Sequence, residues 1–142
     1  MFDVETRKSL TDSIFLFLDK SLSTLTDDRI VKGNIMYYAH NLLIGFMLIF
    51  LTYGWIGPIY FIMIALYLSL FLLHFYFNGC ICIRVERRFY GIPDWKGMWC
   101  VLFEVLENIG LTMTNALENN VYIAVSVCMS AIIVMRLILH GM

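Results

Sequence analysis

Two uncharged apolar runs, Ile35 to Thr52 and Ile59 to Phe77, flank the short turn Tyr53-Gly54-Trp55-Ile56-Gly57-Pro58. Each run is about 18–20 residues, and at about 1.5 Å per helical residue that length covers a hydrocarbon core of roughly 30 Å. Proline is tolerated at a helix start, where its missing N–H would lack a partner anyway, so Gly57-Pro58 suits the junction between two helices. The pattern predicts a helical membrane hairpin organised over Ile35 to Cys80. A further run, Val121 to Leu139, is apolar over another full crossing.

Upstream, residues 9–26 alternate at helical spacing. Leu10, Ile14, Phe17, Leu18, Leu22 and Leu25 fall on one face, and Asp12, Asp19, Lys20 and Ser23 on the other. Ser9-x-x-Asp12 has the form of a capping box. The stripe is too interrupted to span a bilayer, so it predicts a helix lying in the membrane interface, or one packed on a partner protein. Asp27 to Arg29 and Lys32 to Asn34 break the pattern. The chain therefore divides into an amphipathic segment, 1–34, and a helical transmembrane domain, 35–142.

Between the hairpin and the last run lies a charged loop, Arg84 to Lys96, and then an ambiguous stretch from Met98 to Leu117. On a helical wheel Glu104, Glu107, Asn108, Asn115 and Glu118 form a narrow polar stripe. Met98, Trp99, Leu102, Val105, Leu106, Ile109, Met113 and Leu117 cover most of the remaining circumference. If this stretch crosses, Arg29, Lys32, Arg84, Arg87, Arg88, Lys96 and Arg136 all collect on one side. The opposite turns, Trp55–Pro58 and Glu118–Asn120, then carry no basic residue, as the positive-inside rule expects. The cost is about 2.5–3.5 kcal/mol for each acid exposed at mid-membrane. The favoured expectation is an all-α integral membrane protein with four transmembrane helices arranged as two hairpins, an interfacial N-terminal helix, and both termini on the basic, cytosolic side. The alternative is three spans, with residues 98–117 interfacial.

Composition agrees with this class. Of 142 residues 61% are hydrophobic and 15% charged, and the mean hydropathy is +0.79. A soluble domain of this size has too little interior for so much apolar surface. A net charge of −1 gives no support for nucleic-acid binding. The extreme N-terminus, with Asp3, Glu5, Arg7, Lys8 and Asp12, does not read as a cleavable signal peptide. Cys80, Cys82, Cys100 and Cys128 abut or interrupt apolar runs, which predicts free thiols rather than a disulfide framework.

With four crossings, His40, His74 and Glu104 reach similar depth, and Glu107 lies a turn away. Such an intramembrane polar cluster fits a proton relay or a metal site, or simply a hydrogen-bonded register between helices. His74, Cys80, Cys82 and Cys100 are metal-ligand types near one face. Cys-x-Cys lacks the usual zinc-knuckle spacing, however, and no second pair follows, so no metal is assigned. Haem held between His40 and His74 is likewise set aside, and no cofactor is expected. Ala124, Cys128 and Ala131, with Ser126 and Ser130, give the last run a small-residue face for close helix packing. The chain carries no nucleophile elbow, phosphate loop or zinc-protease signature, and an enzyme is not expected.

The spacing His74-x-x-x-Asn78-x-Cys80-x-x-x-x-x-Glu86, after an apolar hairpin with a proline-containing turn, resembles a family of small multi-span membrane proteins of large nucleocytoplasmic DNA viruses. That family's pattern is a histidine at the end of a span, then asparagine, cysteine, Leu-Thr and glutamate. Cys82 and Ile83 stand where Leu-Thr is usual, which removes the threonine hydroxyl. The likeness covers about residues 36–90. Physically, Asn78-Gly79 would end the span and Glu86 would pair with His74 or a nearby arginine. The resemblance implies a structural component of a virion internal membrane or host endomembrane, or a membrane-anchored minor capsid protein joining bilayer to protein layer. The N-terminal helix and the basic residues Arg84, Arg87, Arg88 and Lys96 would then meet anionic lipid or other membrane and capsid proteins. The competing expectation is a small channel or proton-conducting homo-oligomer that uses His40, His74 and Glu104.

Overall fold

The structure, a computed structural model, describes residues 4–112 and 114–140, and of residues 98, 101, 115, 116, 118 and 119 the backbone alone. It is all-helical. Helix α1 runs Val4–Leu22, α2 Arg29–Tyr53, α3 Pro58–Phe77, α4 Ile81–Tyr90, α5 Cys100–Asn108 and α6 Asn115–Leu139, with a short 3-10 turn at Gly97–Trp99. Three helical stretches are long and apolar enough to cross a membrane: Arg29–Tyr53, Pro58–Phe77 and Asn120–Leu139. Their outward side chains, such as Leu42, Ile49, Ile62, Leu72 and Val134, are exposed, which is compatible with a bilayer around these helices.

Helix α1 starts before the predicted cap. Ser9 lies inside it, and its carbonyl accepts the Ser13 hydroxyl at 3.0 Å. The face turned to the protein is also rotated from the predicted stripe. Thr11 is buried and Phe15 meets Phe89 at 5.0 Å between ring centres, while Leu10 and Phe17 point outward. Helix α2 begins before Ile35, because the Asp28 carboxylate caps it by accepting from the Ile30 and Val31 amides at 2.8 and 3.3 Å. Lys32 and Gly33, read as pattern breakers, are buried in its first turns. The Lys32 ammonium reaches Asp19 Oδ1 at 2.6 Å and Ser23 Oγ at 2.7 Å. Gly33 leaves room for the Tyr90 ring, which would lie only 2.9 Å from an added Cβ.

Helix α3 ends as expected. Asn78 takes the left-handed conformation at φ 51°, and the Gly79 amide returns to the His74 carbonyl at 2.9 Å. The first part of the predicted charged loop, residues 84–90, is instead helical within α4, whose apolar face of Ile83, Val85 and Phe89 is buried, chiefly against α2, and residues 91–96 remain a loop.

The continuous helix expected over 98–117 is not formed. Helix α5 has nine residues, about 13 Å, which is less than half a hydrocarbon core. It closes with Gly110 at φ 93°, a conformation that favours glycine, and the Leu111 amide bonds the Leu106 carbonyl at 3.1 Å. Helix α6 then starts afresh, with the Thr114 hydroxyl accepting the Leu117 amide at 3.2 Å. Of the predicted polar stripe, the side chains of Asn115 and Glu118 lie outside the described residues, as do those of Met98 and Asn119 and all of Met113.

Helices α4 and α5 stay at the Phe77 end of the bundle, and α6 runs parallel to α2 and antiparallel to α3. Tyr122, near its start, meets His74 at 4.9 Å and Trp99 at 5.2 Å between ring centres. Midway, the Tyr67 hydroxyl donates to the Ser126 carbonyl at 2.6 Å. At the far end Arg136 donates to the Leu51 carbonyl at 2.8 Å and the Gly54 carbonyl at 2.6 Å, and sits 5.0 Å from the Tyr60 ring centre. Arg136 therefore belongs with the Tyr53–Gly57 turn and not with the other basic residues, and the last helix does not bring its C-terminal end back to the Arg29 end. The core between α2, α3 and α6 is Met47, Leu51, Tyr60, Tyr67, Met129 and Ile133. Ser126 and Ser130 face this core, whereas Ala124, Cys128 and Ala131 are exposed rather than at a close helix contact.

Arg136 meets the Gly54 carbonyl just past the end of α2 and shares the Leu51 carbonyl with the Tyr60 hydroxyl, and a hydrogen bond to a charged donor contributes about 1.5–3 kcal/mol. Arg136→Met is expected to lower unfolding stability in detergent by about that amount, with Arg136→Lys recovering part of it. Chemical denaturation followed by circular dichroism measures both.

Candidate functional site

The end of α3, helix α4 and the middle of α2 converge on one buried group. Glu86, on the otherwise apolar face of α4, has no solvent exposure. One carboxyl oxygen lies 2.8 Å from His40 Nδ1, and the other accepts the Trp95 indole N–H at 2.8 Å. Both oxygens are thus engaged, which burial of a carboxyl demands. Gly97, at φ 61°, brings the following turn against Ile83 and Glu86, where an added Cβ would stand 3.0 Å from the Ile83 side chain and 3.4 Å from Glu86 Oε2.

The other ring nitrogen of His40 faces Cys80, with Nε2 and Sγ 3.6 Å apart. Cys80 is the residue before the first turn of α4, and Cys82 lies within that turn. Ligand atoms of His40, Cys80 and Cys82 all lie within 4.8 Å of one another. Cys80 is held well below the usual thiol range, first by the Cys82 thiol beside it and then, against the opposing effect of burial, by His40. Cys82 is pushed up correspondingly, by its hydrogen bond with Cys80 and by burial. The trio opens on a cavity of about 160 Å³ between α2, α3 and α6, lined also by Met47, His74 and Met129.

The predicted grouping of His40, His74, Glu104 and Glu107 is thus only half formed. The two histidines face one cavity, but Glu104 is exposed on α5 and Glu107 pairs with Lys96 at 3.1 Å. The acids lie elsewhere because α5 rests at the end of the bundle instead of crossing it. Of the motif His74, Asn78, Cys80 and Glu86, Asn78 closes α3, Cys80 meets His40, and Glu86 pairs with His40 and Trp95 rather than with His74 or an arginine. Cys100 is exposed and apart from the trio.

The basic residues read as lipid or partner contacts all have partners within the chain. Arg84 donates to the Phe77 and Asn78 carbonyls, and Arg87 Nε to the Trp95 carbonyl at 2.7 Å. Arg88 pairs with Asp12 and lies over the Phe15 ring, while Lys96 lies 5.5 Å from the Phe103 ring centre. Arg7, Lys8, Arg84, Arg87 and Arg88 together line a cleft of about 570 Å³ between α1 and α4, beside Phe77 and Asn78. Burial, then repulsion from Arg7 and Arg87, lowers the Arg84 pKa.

Sequence reasoning missed the His40–Glu86 link, Trp95 as a positioning residue, and Cys82 as a neighbour of His40. One signal for Glu86 was legible. It stands three residues from both Ile83 and Phe89, on the buried face of α4, where an acid needs a partner.

No family model matches the chain, and neither the curated proteins nor the solved structures give a match.

Trp95→Phe removes the donor to Glu86 while keeping an aromatic ring. Leaving that buried oxygen unpaired is expected to cost about 1–3 kcal/mol. Denaturant unfolding in detergent measures it, and Trp99→Phe provides the spectroscopic control.

Proposed function

We propose that the protein is a non-enzymatic, structural membrane component that crosses the bilayer three times and seats its α1–α4 cap on an anionic leaflet. The observation that carries this reading is the basic cleft between α1 and α4 at the end of α3, the level at which a spanning helix meets lipid headgroups. Arg29, Lys32, Arg84, Arg87, Arg88 and Lys96 belong to the segments at that end, which the positive-inside rule assigns to the cytosolic side. The C-terminal end of α6 then faces the opposite compartment. The exposed apolar side chains of α1, among them Leu10, Leu16 and Phe17, suit a helix lying in the interface.

In this reading the spans anchor and the cap connects. The His74, Asn78, Cys80 and Glu86 resemblance gives the setting as a virion or host internal membrane, with the cap fastening bilayer to protein layer. The channel alternative loses the acid it requires, because Glu104 does not join the histidines.

A juxtamembrane basic residue contributes about 1 kcal/mol to the attraction of anionic lipid. Lys8→Gln combined with Arg84→Gln is therefore expected to weaken retention of phosphatidylglycerol by about thirtyfold. Native mass spectrometry from mixed phosphatidylglycerol and phosphatidylcholine nanodiscs reads this out. Equal retention of the two lipids by the unmodified protein contradicts the proposal.

A further inference from the structure

We propose that His40 Nε2, Cys80 Sγ and Cys82 Sγ form a three-ligand zinc site at the α4 end of the bundle. The site stands on observations separate from the basic cleft and does not depend on the lipid-docking reading.

The spacing fits the ion. Zinc lies about 2.0–2.1 Å from an imidazole nitrogen and about 2.3 Å from a thiolate sulfur, which makes the tetrahedral N···S edge about 3.6 Å. The His40 Nε2 to Cys80 Sγ distance is 3.6 Å, and the third donor lies within 4.8 Å of both. The surroundings fit as well. Zinc-bound histidines commonly donate their second ring nitrogen to a carboxylate, which fixes the ring and raises ligand basicity. His40 Nδ1 faces the wholly buried Glu86 at 2.8 Å, and Trp95 holds Glu86 from its other side. With its proton on Nδ1, the imidazole turns a free lone pair toward the sulfurs.

The charge balance favours zinc over a monovalent soft ion. Two thiolates and a divalent cation sum to zero, whereas copper(I) would leave a net negative charge beside the Glu86 carboxyl. Helix α4 contributes too: its N-terminus, where both cysteines stand, stabilises thiolates. Three protein donors leave a fourth position on a tetrahedral ion, and the cavity that reaches the trio is where an exogenous ligand can enter. Sequence spacing could not reveal the set, because the histidine comes from a different helix, 40 positions before Cys80.

The test uses the full chain, purified in detergent with a tag free of histidines, equilibrated with zinc and dialysed. The expected result is one zinc per chain, and cobalt(II) substitution giving thiolate charge-transfer and tetrahedral ligand-field absorption. Competition with a chromophoric chelator should show affinity lowered at least about hundredfold by Cys82→Ser or His40→Gln. Glu86→Gln should lower it by about 10–100-fold through the lost outer partner, and Cys100→Ser should leave it unchanged. A second measurement needs no variant. Zinc should protect Cys80 and Cys82 of the wild-type protein from maleimide, mapped by peptide mass, while Cys100 and Cys128 label equally with and without metal. Loss of all zinc on dialysis, or uniform labelling of Cys80 and Cys82 in both states, would overturn the site and leave a plain thiol–imidazole hydrogen bond. Preferential retention of copper(I) over zinc would overturn the identity of the ion.

Discussion

A carboxyl group with no exposure is tolerable only where both its oxygens are met, and at Glu86 the fold is built to meet them. His40 comes from α2 and Trp95 from the loop after α4, so one residue ties three segments together. Because α4 must lie flat against α2 to reach His40, the chain after the hairpin folds back over the bundle end. That geometry then dictates the small residues around it: Gly33, which admits the Tyr90 ring, and Gly97, which lets the next turn approach Ile83 and Glu86. Lys32 with Asp19 and Arg88 with Asp12 add α1 to the same assembly.

In lipid, apolar side chains gain little by leaving tails for one another, and helix association rests on packing and polar contacts. The polar contacts here sit at three depths of the bundle. Glu86 fixes one end, Tyr67 with Ser126 and Ser130 the middle, and Arg136 on the α2 carbonyls the other end. The Tyr67 and Arg136 contacts set the direction of α6 relative to the hairpin, which apolar matching alone would leave open. The same assembly places two cysteines beside His40, and groups basic side chains around the cleft between α1 and α4. Metal chemistry and surface charge are therefore neighbouring consequences of how one short helix is held.

The long apolar helices were legible because an uncharged run of about 18–20 residues suits a helix of membrane-crossing length, and Pro58 and Asn78-Gly79 marked ends of the hairpin helices. Helix α4 was not, because ten residues with four charges read as a loop until burial of Ile83, Val85, Glu86 and Phe89 is known. The 98–117 stretch misled for a related reason. Its composition suits a crossing, but Gly110 in a left-handed conformation and the Thr114 cap divide it, and local caps outweigh average hydropathy there. Arg136 misled through the charge rule, since an arginine at a helix terminus can satisfy carbonyls on either side of a membrane. At the site, Cys80 and Glu86 were singled out from the sequence, and their shared partner His40 was named in a different grouping. Only tertiary contact joins residues separated by 40 and 46 positions.

The most direct test of the account is a double-mutant cycle on His40→Gln and Glu86→Gln, measured by denaturant unfolding in detergent under metal-free conditions. A direct buried contact between them predicts a coupling energy of about 1–3 kcal/mol. Losses that add to within about 0.3–0.5 kcal/mol would show that the two residues do not hold α4 to α2.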